Sequence, residues 1–363
     1  MKKAILLLFF CMISNLNLFT NVEAASMGYS VKANLPENQI DKNKTYFDLK
    51  MDPNQKEEIS LTVKNSSEEE IILNIVPNNS KTNQNGVIDY SDENLEKDKS
   101  LKYSLTDIIS GKQKIKLNPG ETKDVTFSIK MPNEELQGII LGGFYIYRED
   151  NETKNTNENL QIKNSYSYVI GIQLSQNTIK VDPKLSLNKI KPALQNYHTV
   201  VTANIQNSKP TIINNLIIDA KVTKEGESKV IHETNKQGMS MAPNSNFDFP
   251  ISWDNEPLEV GDYTLHLKIN TGEKEWSFDK NFSIGKEDTK KLNDEAVNID
   301  KKEINWNIVA LTISILLIIC GITIVGLTIR HKKKIDREKK IKAARIKKRR
   351  KAKNSERNKK KIT

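Results

Sequence analysis

The chain has 363 residues, 56 of them Lys or Arg against 46 Asp or Glu, a net charge of +10, and two cysteines. The positive balance sits at one end: residues 330–363 hold 19 basic and 3 acidic side chains, a net +16, and the first 329 residues hold 37 basic and 43 acidic, a net −6. A nucleic-acid-binding fold carries its basic residues on the face that meets phosphate, so nucleic acid is excluded as a partner of the body, and two cysteines exclude a disulfide-stapled scaffold.

In chain order, Lys2 and Lys3 precede an apolar run from Ala4 to Ile13, and Val22-Glu23-Ala24 places small residues around a cleavage position. This reads as a secretory signal over residues 1–24, with an uncleaved anchor as the alternative, for which the apolar run is short. Cys11 lies in that segment and Cys320 in the apolar C-terminal run, so the exported region from 25 to 305 has no cysteine. That region is long enough for two domains. Apolar residues alternate with period two at Ile59, Leu61 and Val63, at Val125, Phe127, Ile129 and Met131, at Val201, Ala203 and Ile205, and at Tyr263, Leu265, Leu267 and Ile269. Trp276, Phe278, Phe282 and Ile284 extend the last set, and clusters such as "LNPGETK" and "MAPNSN" punctuate the runs. Short alternating strands with frequent turns predict an all-β fold of two tandem immunoglobulin-like β-sandwich domains, over 27–148 and 164–285. The polar stretch 149–163 reads as a linker or a long loop. Gly261-Asp262-Tyr263 resembles a tyrosine corner, in which the hydroxyl returns to upstream backbone. No convincing helical stripe occurs in the exported region, and the polar residues 286–305 read as a stalk.

Residues 307–329 carry no charge. About 22 helical residues at roughly 1.5 Å each span about 33 Å, enough for a hydrocarbon core of roughly 30 Å. Trp306 marks one edge, and Arg330 with Lys332, Lys333 and Lys334 the other. The positive-inside bias then predicts a single transmembrane helix at the cell membrane, the body outside, and 330–363 as a basic cytoplasmic tail. The tail serves as a topology determinant and contacts anionic lipid headgroups.

The inventory for catalysis is poor. His198, His232 and His266 fall singly, without metal-ligand spacing, and no metal or cofactor site is expected. Ser186-Leu187-Asn188-Lys189 matches S-x-x-K, but neither S-D-N nor K-T-G follows. The acids between Asp89 and Asp98 fit no EF-hand spacing. A wall-modifying enzyme would need a carboxylate pair drawn from Asp89, Asp92 or Glu93; a surface signal transducer acting through the tail is the other alternative. The residues that stand out suit recognition. In "GIILGGFYIYRE", Tyr145 and Tyr147 share one strand face opposite Phe144 and Ile146, a platform for a sugar or partner if that face is open. Gly138, Gly142 and Gly143 in the same phrase mark a bulge or a close backbone approach. In "TNQNGVIDY", Asn83 and Asn85 lie on a turn ending in Asn85-Gly86, a strong hairpin signal, and Tyr90 follows. The candidate ligand-binding residues are therefore Asn83, Asn85, Tyr90, Tyr145 and Tyr147.

Taken in order, "YSVKANLPENQIDKNKTYFDLKMDPNQ", "TNQNGVIDY", "LNPGETKDVTFSIKMP", "LQGIILGGFYIY" and "YSYVIGIQLS" resemble the WxL-interacting protein family of Gram-positive surface proteins. A cysteine-free, Lys- and Asn-rich exported region agrees with that setting. The resemblance implies a non-catalytic adhesion or scaffold protein whose first domain binds peptidoglycan and whose second binds host extracellular proteins or partners. It also implies WxL-domain wall proteins as partners. The chain's tryptophans, Trp253 in "SWDN", Trp276 in "EWSF" and Trp306 in "NWNI", form no W-x-L, which would put it on the receiving side. The resemblance carries over no catalytic residue.

Overall fold

A computed structural model describes residues 27–149, 166–297 and 306–359. The signal expected at 1–24, nearly all of the stretch 149–163 and the end of the stalk lie outside the described residues. The chain divides into two units, one up to residue 300 and one after it.

The described residues of the first unit hold seventeen strands: β1 Tyr29–Asn34, β2 Phe47–Lys50, β3 Lys56–Asn65, β4 Ile71–Asn79, β5 Lys81–Thr82, β6 Ile88–Asp89, β7 Gln113–Leu117, β8 Thr122–Lys130, β9 Ile139–Arg148, β10 Ser167–Ser175, β11 Leu185–Gln195, β12 His198–Asn207, β13 Ile213–Lys224, β14 Val230–Met241, β15 Ser245–Ser252, β16 Gly261–Asn270 and β17 Glu275–Ile284. Fifteen of them form two immunoglobulin-like sandwiches, and β5 and β6 pair as a separate two-stranded ribbon. The first packs sheet β1-β3-β8 on sheet β2-β10-β9-β4-β7, and the second packs β11-β12-β15 on β14-β13-β16-β17.

Alternation is what makes these residues strands. Successive side chains point to opposite faces, so each period-two apolar set becomes one buried face. Ile59, Leu61 and Val63 of β3 and Phe127 of β8 meet Phe144 and Ile146 of β9 in the first core. Val201, Ala203 and Ile205 of β12 meet Leu265, Leu267 and Ile269 of β16 in the second. The Tyr29 hydroxyl crosses between the first pair of sheets and donates to the Ile146 carbonyl at 3.2 Å. In the second sandwich the Tyr263 hydroxyl donates back to the Glu259 carbonyl at 3.0 Å, the bond expected of a tyrosine corner.

Two segments differ from the sequence expectation. Strand β10 lies inside the span assigned to the second sandwich, yet it pairs antiparallel along β9 (Gly171 opposite Gly143) and parallel with β2, completing the first sandwich. Ile172 and Leu174 are fully buried there. Period two says that a strand has a buried face but not which core receives it, and a boundary at 164 separates β10 from the sheet it joins. The strands flanking 150–165 are thus neighbours in one sheet. The second departure is a short helix where a stalk was expected. Lys286–Glu295 (to be called α2, after the four-residue α1, Leu105–Ile108) is helical with Glu287 and Asp288 in its first turn, where acids complement the dipole. Leu292 packs on the second core, and Asn293 bonds both the N–H and the carbonyl of Leu258, at 2.9 and 3.0 Å. One leucine and one asparagine leave no stripe to read in sequence.

The second unit contains one long helix, α3, Trp306–Lys359. From Leu311 it carries an apolar run long enough to cross a membrane by length and composition. Leu316, Leu317 and Ile322 are about two-thirds exposed.

Candidate functional site

Side chains on β9 alternate between the core and the outer face of the five-stranded sheet. Phe144 and Ile146 go inward, and Tyr145 and Tyr147 go outward with their ring centroids 5.2 Å apart and planes tilted by 39°. In register with them the outer face carries Val76 of β4 and Val169 of β10, both opposite Tyr145. The Tyr147 hydroxyl donates to Glu93 Oε1 at 3.0 Å, which fixes one end of the pair. Burial, and then the bond to Glu93, raises the Tyr147 phenol above its ordinary pKa, so it stays a neutral donor.

The glycines of this phrase serve close approach. A Cβ at Gly143 would lie 3.2 Å from the Tyr90 ring, and one at Gly142 would lie 2.4 Å from Leu105. Tyr90 therefore packs against the β9 backbone at Gly143 as part of the wall. Burial, with the neighbouring Tyr46 as the lesser cause, pushes its phenol up to about 12.

Asn83 and Asn85 stand elsewhere. The Asn83 carboxamide oxygen accepts from the backbone N–H of Asn85 at 2.9 Å and of Val87 at 3.1 Å, closing the loop between β5 and β6. Its role is to build the turn. Gly86 adopts φ +68° and its carbonyl accepts from the Ser240 N–H at 2.7 Å; a Cβ there would lie 2.2 Å from Met239 Cε. The hairpin thus docks on the second sandwich, where Thr82 Oγ1 lies 2.8 Å from Ser245 Oγ. The five predicted residues do not form one surface: three belong to the outer sheet face, and Asn83 and Asn85 line a cleft between the sandwiches.

That cleft, about 1350 Å³, was not visible in the sequence. Its floor is the outer face of β11-β12-β15, a ladder of carboxamides. Asn188 Nδ2 donates to Asn204 Oδ1 at 2.9 Å, and Asn204 Nδ2 donates to Asn246 Oδ1 at 3.0 Å and Asp248 Oδ1 at 2.8 Å. Asp98, from the first sandwich, accepts from Gln206 Nε2 at 2.8 Å and Asn246 Nδ2 at 2.6 Å. Burial alone would push the Asp98 carboxyl up; the bonds from the Ser100 N–H, Asn246, the Ser100 hydroxyl and Gln206 outweigh it and hold the pKa below the ordinary range. The one available signal was the outward half of the alternation in "VVTANIQNS", where Asn204 and Gln206 occupy the positions between buried residues.

The acids considered for catalysis are engaged one by one. Lys81 lies 3.8 Å from Asp89 and 2.9 Å from Asp92, and Glu93 takes Tyr147. The histidines have separate partners: His198 with Asn255, His232 with Asp254 and stacked on Trp253, His266 with Asp279. Ser186 donates to Gln206 Oε1 at 3.4 Å rather than to Lys189.

No curated protein matches the chain. Among solved structures it is similar to the class 5 fimbriae chaperone CfaA (13% identity, 69% of this chain and 98% of that one, TM-score 0.26). It is also similar to the E. coli chaperone DraB (12% identity, 70% and 98%, TM-score 0.27) and to the Pseudomonas aeruginosa CupB2 chaperone (12% identity, 63% and 93%, TM-score 0.22). Two family models match, the WxL Interacting Protein peptidoglycan binding domain over residues 29–148 and the host binding domain over residues 157–294. Both describe binding domains, and together they span the two sandwiches: the chain belongs to the WxL Interacting Protein family.

Proposed function

We propose that this is a membrane-anchored, non-catalytic cell-surface protein that grips peptidoglycan with the outer face of its first sandwich and presents its second to a host protein or a WxL-domain wall protein. The observation that carries the first half is the Tyr145–Tyr147 pair, outward-facing, 5.2 Å apart and tethered by Glu93. Sugar rings bind by laying an apolar face on an aromatic ring while polar groups beside it fix orientation. The apolar run of α3 supports the anchor, and the +16 of residues 330–363 supports a cytoplasmic tail against anionic lipid.

The test is sedimentation of the whole chain, in detergent, with purified peptidoglycan. Tyr145→Ala should weaken binding roughly threefold to tenfold, the worth of one aromatic contact, and Tyr147→Ala should do the same. Equal sedimentation of parent and both variants would overturn the assignment of this face. Capture of a purified WxL-domain protein, lost on substitutions in the second sandwich alone, tests the other half.

A further inference from the structure

The cleft between the sandwiches calls for a ligand different from the one that suits the tyrosine face. Its floor is built and held before anything binds, because the carboxamides of Asn188, Asn204 and Asn246 hydrogen-bond one another in a row. Its acids are largely spent. Asp98 keeps its charge, but its oxygens are already taken by amide and hydroxyl donors, and Asp248 is paired with Lys191 at 3.3 Å. Among its lysines, Lys81 and Lys97 have acid partners, whereas Lys99 and Lys189 are exposed and have no ion-pair partner among the described residues; Glu96 is the unpaired lining acid.

Lys189 is placed there by a backbone irregularity. The β11–β12 register shifts between Leu187 and Ile190, so Asn188 and Lys189 form a β-bulge. Bulges re-aim side chains, often beside sites. The bulge is braced from β17, where Lys280 Nζ bonds the carbonyl of Asn188 and, at 3.4 Å, that of Leu187. Lys99 comes from the opposite wall, next to the Asp98–Ser100 turn that Asn244 Nδ2 ties down at 2.9 Å. Two sandwiches thus each contribute one free cation to an amide-lined trough. The only aromatic in its lining, Phe247, is buried in the core. A pyranose ring finds nothing to stack on, whereas hydroxyls find amides and a phosphate finds an ammonium point charge.

We propose that this cleft is a second binding site, for an acyclic, hydroxyl-rich polyanion of polyol-phosphate chemistry. It goes beyond the peptidoglycan reading and requires both sandwiches.

The test measures binding of the whole chain, in detergent, to soluble poly(glycerol phosphate), to neutral dextran and to vesicles containing phosphatidylglycerol, a lipid-borne source of the same group. Poly(glycerol phosphate) should bind with an affinity that falls as salt rises, and dextran should not bind. Lys99→Glu with Lys189→Glu should lose about tenfold or more in affinity, the worth of a charge-assisted contact, while Lys→Arg at both sites retains it and Glu96→Gln strengthens it. Both lysines are exposed, so an unchanged melting temperature keeps the comparison clean. The double variant should still sediment with peptidoglycan, and Tyr145→Ala should still bind the polymer, so the two sites fail separately. Equal polymer binding by parent and double variant, no polymer binding at all, or binding to the vesicles alone would overturn the proposal.

Discussion

At the scale of the residue, the most constrained position is Gly86. Its left-handed φ favours glycine, and its α-carbon faces Met239 of the other sandwich. Gly86→Val adds a branched side chain to both problems. It should destabilise the protein by about 1–3 kcal/mol, from strain and overpacking, and expose the contact between the sandwiches to protease. A melting temperature and a digestion pattern identical to the parent's would show that the hairpin yields freely. Gly143 is different in kind: it needs no unusual φ, only the space that the Ile170 carbonyl and the Tyr90 ring fill. Both glycines stand out in the sequence as candidates for tight geometry. What they approach could not be read, because Met239 lies more than 150 positions away from Gly86 and nothing local couples them.

At the scale of the element, the strands owe their stability to the buried half of each alternation. Phe144 is fully buried and 4.4 Å, centroid to centroid, from Phe127 across the sandwich. Phe144→Ala should cost about 3–5 kcal/mol, read as a lowered midpoint in denaturant, whereas Tyr145→Ala on the opposite face of the same strand should cost far less. Helix α2 makes the contrasting case, because ten mostly charged residues have little reason to stay helical alone. Its docking rests on Leu292 and the two Asn293 bonds to Leu258. Asn293→Ala should remove about 1–3 kcal/mol of docking and speed amide hydrogen exchange in α2 without touching β16. Uniform exchange in parent and variant would mean that the helix is not held by this contact.

At the scale of the whole molecule, Asp98 joins the two sandwiches. Its folded pKa is depressed, so its contribution is fully present above the ordinary carboxylate value of about 3.9 and is lost as pH falls through the lower folded value. The distance between fluorophores placed one on each sandwich should therefore hold from pH 7 down to about 5 and change only below about 4. Asp98→Asn should flatten that pH response. A transition near pH 6 would point to a histidine instead and remove Asp98 from the role.

The sequence by itself determined the fold class, the buried face of β3, β8, β9, β12 and β16, the placing of Tyr145 and Tyr147 opposite Phe144 and Ile146, the long apolar helix and the charge asymmetry. Each of these is a local or periodic property, carried by spacing along the chain. The tertiary structure decided which sandwich owns β10, that α2 folds back onto its neighbour, and that Asn83 and Asn85 belong to a cleft rather than to the tyrosine face. It alone brought Asp98 to Gln206 and Asn246, and Lys99 to the same trough as Lys189. Those pairings join residues some ninety or more positions apart. Hydrogen bonds and ion pairs have no period, so only the folded chain shows which distant polar groups meet.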